Sequence, residues 1–269
     1  MSFANINGIR LHYRIDGAER GDAPWLVLAN ALGADLTMWA PQIAAFSARF
    51  RVLRFDTRGL GCSDAPPGPY TVEQWTSDVV GLLDAFSIER AHFCGLSMGG
   101  LIGVALGARH GERVERLVLA HTAARIGTPE LWRTRARQAR EEGARSLADA
   151  TLERWFSRGF AAREPVVLAV IRDAFAHTDD EGYAGNCEAV GAADLSAELG
   201  RIHAPTLVMT GRGDPSVAPE LSRALADGIA GAHFVELDAQ HFSNIERSDE
   251  FTQTVLGFLT GAGIGAGAS

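Results

Sequence analysis

The sequence contains no lysine; all 25 of its basic residues are arginine. Without a lysine amine there is no internal aldimine to pyridoxal phosphate, no Schiff-base aldolase and no GK[ST] phosphate loop. Cysteine is scarce as well. Cys62, Cys94 and Cys187 are widely spaced and form no C-x-x-C pair, which excludes a zinc ribbon and a thioredoxin-like centre. Reduced, mostly buried thiols in a cytoplasmic protein are the expectation. No basic segment runs into an apolar stretch after Met1-Ser2-Phe3-Ala4-Asn5, and no run of about 18 apolar residues occurs anywhere. Neither a signal peptide nor a membrane partner is expected. Positive charge is also in deficit, with 25 bases against 33 acids and a formal net charge of -8. An acidic chain repels phosphate backbones, so nucleic acid is not an expected partner.

What is present is length and apolar content: 269 residues, 46% hydrophobic, enough to bury one large α/β core. Asn7-Gly8, flanked by residues 3–6 and 9–15, reads as a tight hairpin. Short apolar runs follow at 25–28, 50–55, 92–94, 114–120, 206–209 and 233–237, as suits strands buried on both faces of a parallel sheet. Helical patterns alternate with them at 71–86, 98–110, 221–229 and 249–259, which predicts a doubly wound sheet. One stretch breaks the rhythm. Residues 122–199 hold helical segments at 133–142, 146–156 and 165–175 but no strand, and read as a helical lid inserted after the sixth of eight strands. The division expected is a core of 1–121 and 200–260, a lid of 122–199, and a flexible, low-complexity tail of 261–269.

Gly95-Leu96-Ser97-Met98-Gly99 fits G-x-S-x-G between an apolar strand and a helix. In that setting a sharp turn lifts the serine hydroxyl above the sheet, and the helix N-terminus turns free N–H groups toward it. Met98 N–H is thus one candidate oxyanion donor. The second is Leu32 N–H, in the small-residue loop Asn30-Ala31-Leu32-Gly33 after the third strand. Of eight histidines, His12 and His92 lie in strands, His110 ends a helix, His177 and His203 sit beside loops, and His233 opens a strand. His241 alone follows the last strand, where a loop crosses the sheet's carboxyl edge, and is the candidate base. Asp214, just after residues 206–209, is the acid; the position after residues 114–120 reads His121-Thr122-Ala123-Ala124, without a carboxylate, and Asp238 is too near His241. Asp56 and Arg58 lack the spacing of a dinucleotide site and read as loop-knitting residues. In the lid, Arg133, Arg135, Arg137 and Arg140 read chiefly as a solvated face and secondarily as a rim attracting carboxylates. Arg125 and Trp132, at the lid's start, are the candidate substrate contacts.

Together these motifs resemble the α/β-hydrolase superfamily over essentially the whole chain. Leu11-His12-Tyr13, residues 95–100, Thr122-Ala123-Ala124-Arg125-Ile126-Gly127, Asn186-Cys187-Glu188 and His241-Phe242-Ser243-Asn244-Ile245-Glu246 look like the 3-oxoadipate enol-lactonases. The resemblance implies a Ser97–Asp214–His241 triad, no metal or organic cofactor, and a small anionic lactone as substrate. His121 and Leu60 depart from the asparagine and histidine expected in close relatives, and Ala218 from a threonine. A carboxylesterase or carbon–carbon bond hydrolase would share the fold and triad, and a ligand receptor could share the scaffold. A haloalkane dehalogenase is excluded, because Ser97 stands where that chemistry needs an aspartate. Oligomeric state is not legible in the sequence.

Overall fold

The computed structural model describes residues 1–17, 19 and 21–263. Asn7 and Gly8 adopt φ of 50° and 82°, the paired left-handed conformation of a type I′ turn. They fold β1 (Ser2–Ile6) antiparallel onto β2 (Ile9–Asp16). The remaining strands are β3 (Trp25–Ala29), β4 (Arg51–Phe55), β5 (Ala91–Leu96), β6 (Val114–Ala120), β7 (Thr206–Gly211) and β8 (His233–Leu237). They form one eight-stranded sheet in the order β1-β2-β4-β3-β5-β6-β7-β8. β2 meets β4 antiparallel, and every later pair is parallel. β5 and β7 are buried at every position, which is why their sequences show no alternation of apolar and polar residues.

Around the sheet lie α1 (Ala40–Ser47), α2 (Val72–Ala85) and α3 (Met98–Arg109). The insertion between β6 and β7 holds α4 (Pro129–Glu142), α5 (Ala148–Trp155), α6 (Arg158–Arg163), α7 (Pro165–Ala176) and α8 (Asp180–Ala192). After β7 come α9 (Pro219–Asp227), α10 (Ser243–Glu246) and α11 (Ser248–Thr260). α4 begins earlier than its charged stretch suggests. Thr128 caps it by accepting from Leu131 N at 3.2 Å, and Pro129 fits the first turn, where its missing N–H costs nothing. α8 escaped the periodicity reading because its polar residues are few and residues 182–187 are all buried. Among the described residues no helix is long and apolar enough to cross a membrane. Of the expected tail, residues 264–269 lie outside the described residues.

The loop after β4 is the joint between insertion and core. Asp56 Oδ1 accepts from Leu36 N at 2.7 Å; its Oδ2 takes Cys62 N at 2.9 Å and His12 Nδ1 at 2.8 Å. Arg58 makes a two-pronged pair with buried Asp78, both bonds 2.7 Å. Asn186 of α8 donates to Arg58 O at 2.8 Å and accepts from Trp75 Nε1 at 2.8 Å, tying α8 to this loop and to α2. Its amide serves architecture.

His92 is the residue through which acid should weaken the fold. Burial holds its pKa down at about 4, and Nδ1 has no hydrogen-bond partner among the described residues. Its ring stands edge-on to Phe50, centroids 5.3 Å apart. The unfolded chain takes up the proton near pH 6.5, while the folded chain resists it to about 4. The stabilisation is therefore complete above pH 6.5 and is lost as pH falls through that window. Denaturant unfolding at pH 7 and pH 4.5 should show a smaller loss of stability in His92→Leu than in the parent; an equal loss would remove His92 from the account.

Candidate active site

β5 ends at Leu96, and Ser97 takes φ 59° and ψ −114° before α3 begins at Met98. A non-glycine residue in that region costs about 1–3 kcal/mol and must be held by its surroundings. The hold is visible: Ser97 N donates to Ala120 O at 2.8 Å, and Thr122 Oγ1 donates to Ser97 O at 2.9 Å. The flanking glycines are steric requirements. A Cβ on Gly95 would stand 2.0 Å from Gly99 O, and one on Gly99 would stand 2.2 Å from Ala29 O. The loop after β3 thus lies directly against the serine turn. That contact brings Leu32 to the same place. Neither Leu32 N–H nor Met98 N–H has an acceptor among the described residues, so both are available to a developing oxyanion.

β7 and β8 deliver the other two groups. His241 Nδ1 lies 2.7 Å from Asp214 Oδ2, and both side chains are buried. Asp214 Oδ1 accepts from Ser216 N at 2.8 Å and Val217 N at 3.1 Å, the turn geometry that aspartate favours. Burial alone would raise the pKa of Asp214. The charge of His241 and hydrogen bonds from His121 and His241 outweigh it and hold the carboxyl below its ordinary value. The carboxylate accepts the His241 Nδ1 proton, leaving Nε2 to serve as a base. Asp238 is exposed and pairs instead with Arg247 at 2.9 Å.

Ser97 and His241 line a cavity of about 120 Å³ together with Leu32, Ile126, Trp132 and Trp155. Trp132 stands in its wall, its indole N–H donating to Ile126 O at 2.6 Å. Arg125 does not reach it. In the bent segment before α4 Ile126 lines the cavity while Arg125 lines a separate cleft, 3.8 Å from Asp194. The arginines that do line the cavity are Arg135 and Arg154, beside Thr151 and Tyr183. Arg135 Nε donates to Tyr183 Oη at 2.6 Å, and its guanidinium also donates to Thr151 Oγ1. Arg154 makes no side-chain hydrogen bond, and neither arginine has a carboxylate partner among the described residues. Burial and the neighbouring Arg135 charge push Arg154 below its ordinary pKa. Two cations thus line the cavity without a carboxylate counter-charge among the described residues.

Helical phase was the signal that could have found them. Leu131, Trp132 and Arg135 recur on one face of α4, and Thr151, Arg154 and Trp155 on one face of α5. α5 is held over the site by Trp155, which stacks on Phe242 with ring centroids 4.0 Å apart and accepts Phe242 N at 3.1 Å.

Residues 24–248 match the family described as the alpha/beta hydrolase fold. The chain is 38% identical over 247 residues to 3-oxoadipate enol-lactonase 2 of Acinetobacter baylyi, with 92% of each covered. It superposes on the crystal structure of the enol-lactonase from Burkholderia xenovorans with a TM-score of 0.95 and 62% identity, covering 96% of this chain and all of that one. A malate-bound thermophilic esterase from Thermogutta terrifontis gives a TM-score of 0.91 at 28% identity, covering 97% of this chain and 99% of its own. The chain belongs to the alpha/beta hydrolase fold family, and it is a hydrolase of the kind that includes these enol-lactonases.

Proposed function

We propose that this protein is a serine hydrolase that opens 3-oxoadipate enol-lactone to 3-oxoadipate through an acyl-enzyme, serving the degradation of aromatic compounds. The observation that carries the substrate is the pair Arg135 and Arg154, uncompensated at the cavity that holds Ser97 and His241. A free carboxylate on a small ring supplies the missing counter-charge. The likeness to lactonases of that name supports the same reading.

In the proposed reaction His241 Nε2 takes the Ser97 proton as Oγ attacks the lactone carbonyl carbon. Asp214 holds the imidazole tautomer and stabilises the imidazolium. Leu32 N–H and Met98 N–H receive the oxyanion; losing one such donor costs about 100- to 1,000-fold. Collapse breaks the ring carbon–oxygen bond and expels an enolate, which takes up a proton to become the ketone. Water, deprotonated by His241, then attacks the acyl carbon and frees Ser97. Every step is proton or acyl transfer, for which these side chains and water suffice.

The test is steady-state hydrolysis of freshly generated enol-lactone beside neutral p-nitrophenyl acetate. The expected kcat/KM for the lactone falls in the efficient range, roughly 10⁴–10⁸ M⁻¹s⁻¹, and far above that for the ester. Turnover of the ester with negligible lactone opening would replace this reading with a carboxylesterase.

A further inference from the structure

Asp214 Oδ2 receives a second imidazole. His121 Nδ1 lies 2.9 Å from the same oxygen that His241 Nδ1 approaches at 2.7 Å. His121 follows β6 directly, at φ 51°, with its backbone N–H donating to Met209 O at 2.7 Å. The left-handed turn points the side chain along the sheet edge toward β7, away from the cavity, which it does not line. The ring is fully buried and edge-on to His241, centroids 5.6 Å apart, and its Nε2 lies 2.6 Å from Ser243 Oγ.

These contacts define the tautomer. An ionised carboxylate only accepts, so Nδ1 of His121 must carry the proton. The titratable groups facing the ring are Asp214, His241 and Glu246. Burial holds its pKa below the ordinary histidine value even though Asp214 and Glu246 pull the other way, and His241 also opposes a second charge. The ring is therefore neutral, and Nε2 accepts from the Ser243 hydroxyl. With Ser216 N and Val217 N on the other oxygen, the buried carboxylate has four donors.

Building on the proposed Ser97–His241–Asp214 chemistry, we propose that His121 is a positioning residue: its neutral Nδ1–H fixes the Asp214 carboxylate on which His241 depends. The positive charge that appears during turnover then has one place to go, His241, because the second ring offers the carboxylate a hydrogen bond and no charge. Without this donor, a buried lone pair is left unsatisfied and Oδ2 keeps only the His241 bond, so the carboxylate is held less tightly about its last torsion. Misplacement of a catalytic group by an ångström costs on the order of 100-fold. Asparagine can stand in, since its amide N–H occupies the place of Nδ1–H and the residue tolerates left-handed backbone.

The experiment compares His121→Leu, which fills space without a donor, with His121→Asn, on both enol-lactone and p-nitrophenyl acetate. Nitrogen-15 spectra of histidine-labelled parent protein from pH 5.5 to 8 accompany it. His121→Leu should lose about 10- to 100-fold in kcat with KM unchanged, and His121→Asn should recover most of that loss. One histidine should hold the neutral Nδ1–H form throughout, its signal absent from the His121→Asn spectrum. A leucine variant with parental kcat, a folded asparagine variant as slow as the leucine one, or a His121 signal that titrates or shows the Nε2–H form would each overturn the proposal. If the leucine variant does not fold, the asparagine rates and the parent spectra decide it. The ester reports on Ser97 whatever the natural substrate, so failure of the lactone reading leaves this test standing.

Discussion

Ser97→Ala should lose about 10⁴- to 10⁶-fold in kcat on the enol-lactone while its melting temperature stays at the parental value. The two halves of that expectation rest on different observations. Among the described residues Ser97 Oγ has no hydrogen-bond partner and does not cap α3, so its removal breaks no structural contact there. The bonds that hold the turn use its backbone: N to Ala120 O, and O from Thr122 Oγ1. Alanine suffers the same strain at φ 59° as serine, so the backbone cost cancels between variant and parent. What disappears is the nucleophile. The oxyanion donors and the arginine-lined cavity remain, so residual rates of roughly 10³–10⁴ over water are the floor expected of binding and electrostatics alone. Single-turnover assays with enzyme in excess, beside thermal unfolding, measure both quantities. A variant keeping more than a small fraction of parental kcat would remove Ser97 from the chemistry.

Local rules carried much of this site in the sequence. Asn7-Gly8 names its own turn, and Gly95 and Gly99 announce a close backbone approach that the structure supplies against Gly99 O and Ala29 O. Asp214 and His241 follow strands, and parallel strands all deliver their following loops to one edge of the sheet. The insertion obeyed no such rule. Chain position placed Arg125 near the cleft, but a loop residue's direction depends on its neighbours, and Ile126 took the inward place. Arg135 sat in view within an arginine-rich run; which of those arginines turns inward depends on where α4 begins, and Thr128 and Pro129 start it before the charged run. α8 is rich in glycine and alanine and mostly buried, so its helical period carries little polarity to read. His121 was visible only as a departure from a family pattern; its bond to Asp214 joins residues 93 apart, a tertiary fact.

Arg154→Met separates a substrate contact from a structural one by sign. Arg135 is a mixed case, because it also holds Tyr183 and Thr151. Arg154 makes no side-chain hydrogen bond among the described residues, and its surroundings disfavour its charge through burial and the Arg135 guanidinium. Methionine keeps the apolar stem, fills the space and ends the repulsion. The folded state should gain stability, and the melting temperature should rise. Activity should move the opposite way. Losing one partner of a buried, hydrogen-bonded charge pair costs about 2–4 kcal/mol, or roughly 30- to 1,000-fold in kcat/KM for the anionic lactone. Neutral p-nitrophenyl acetate has no carboxylate to lose, so its rate should hold. Added salt should weaken the parent's preference for the lactone, since the partly open cavity admits screening ions, and should do so less in the variant. A purely structural Arg154 would lower stability and slow both substrates together; a rise in melting temperature with a loss confined to the anion requires that the arginine be kept for a ligand.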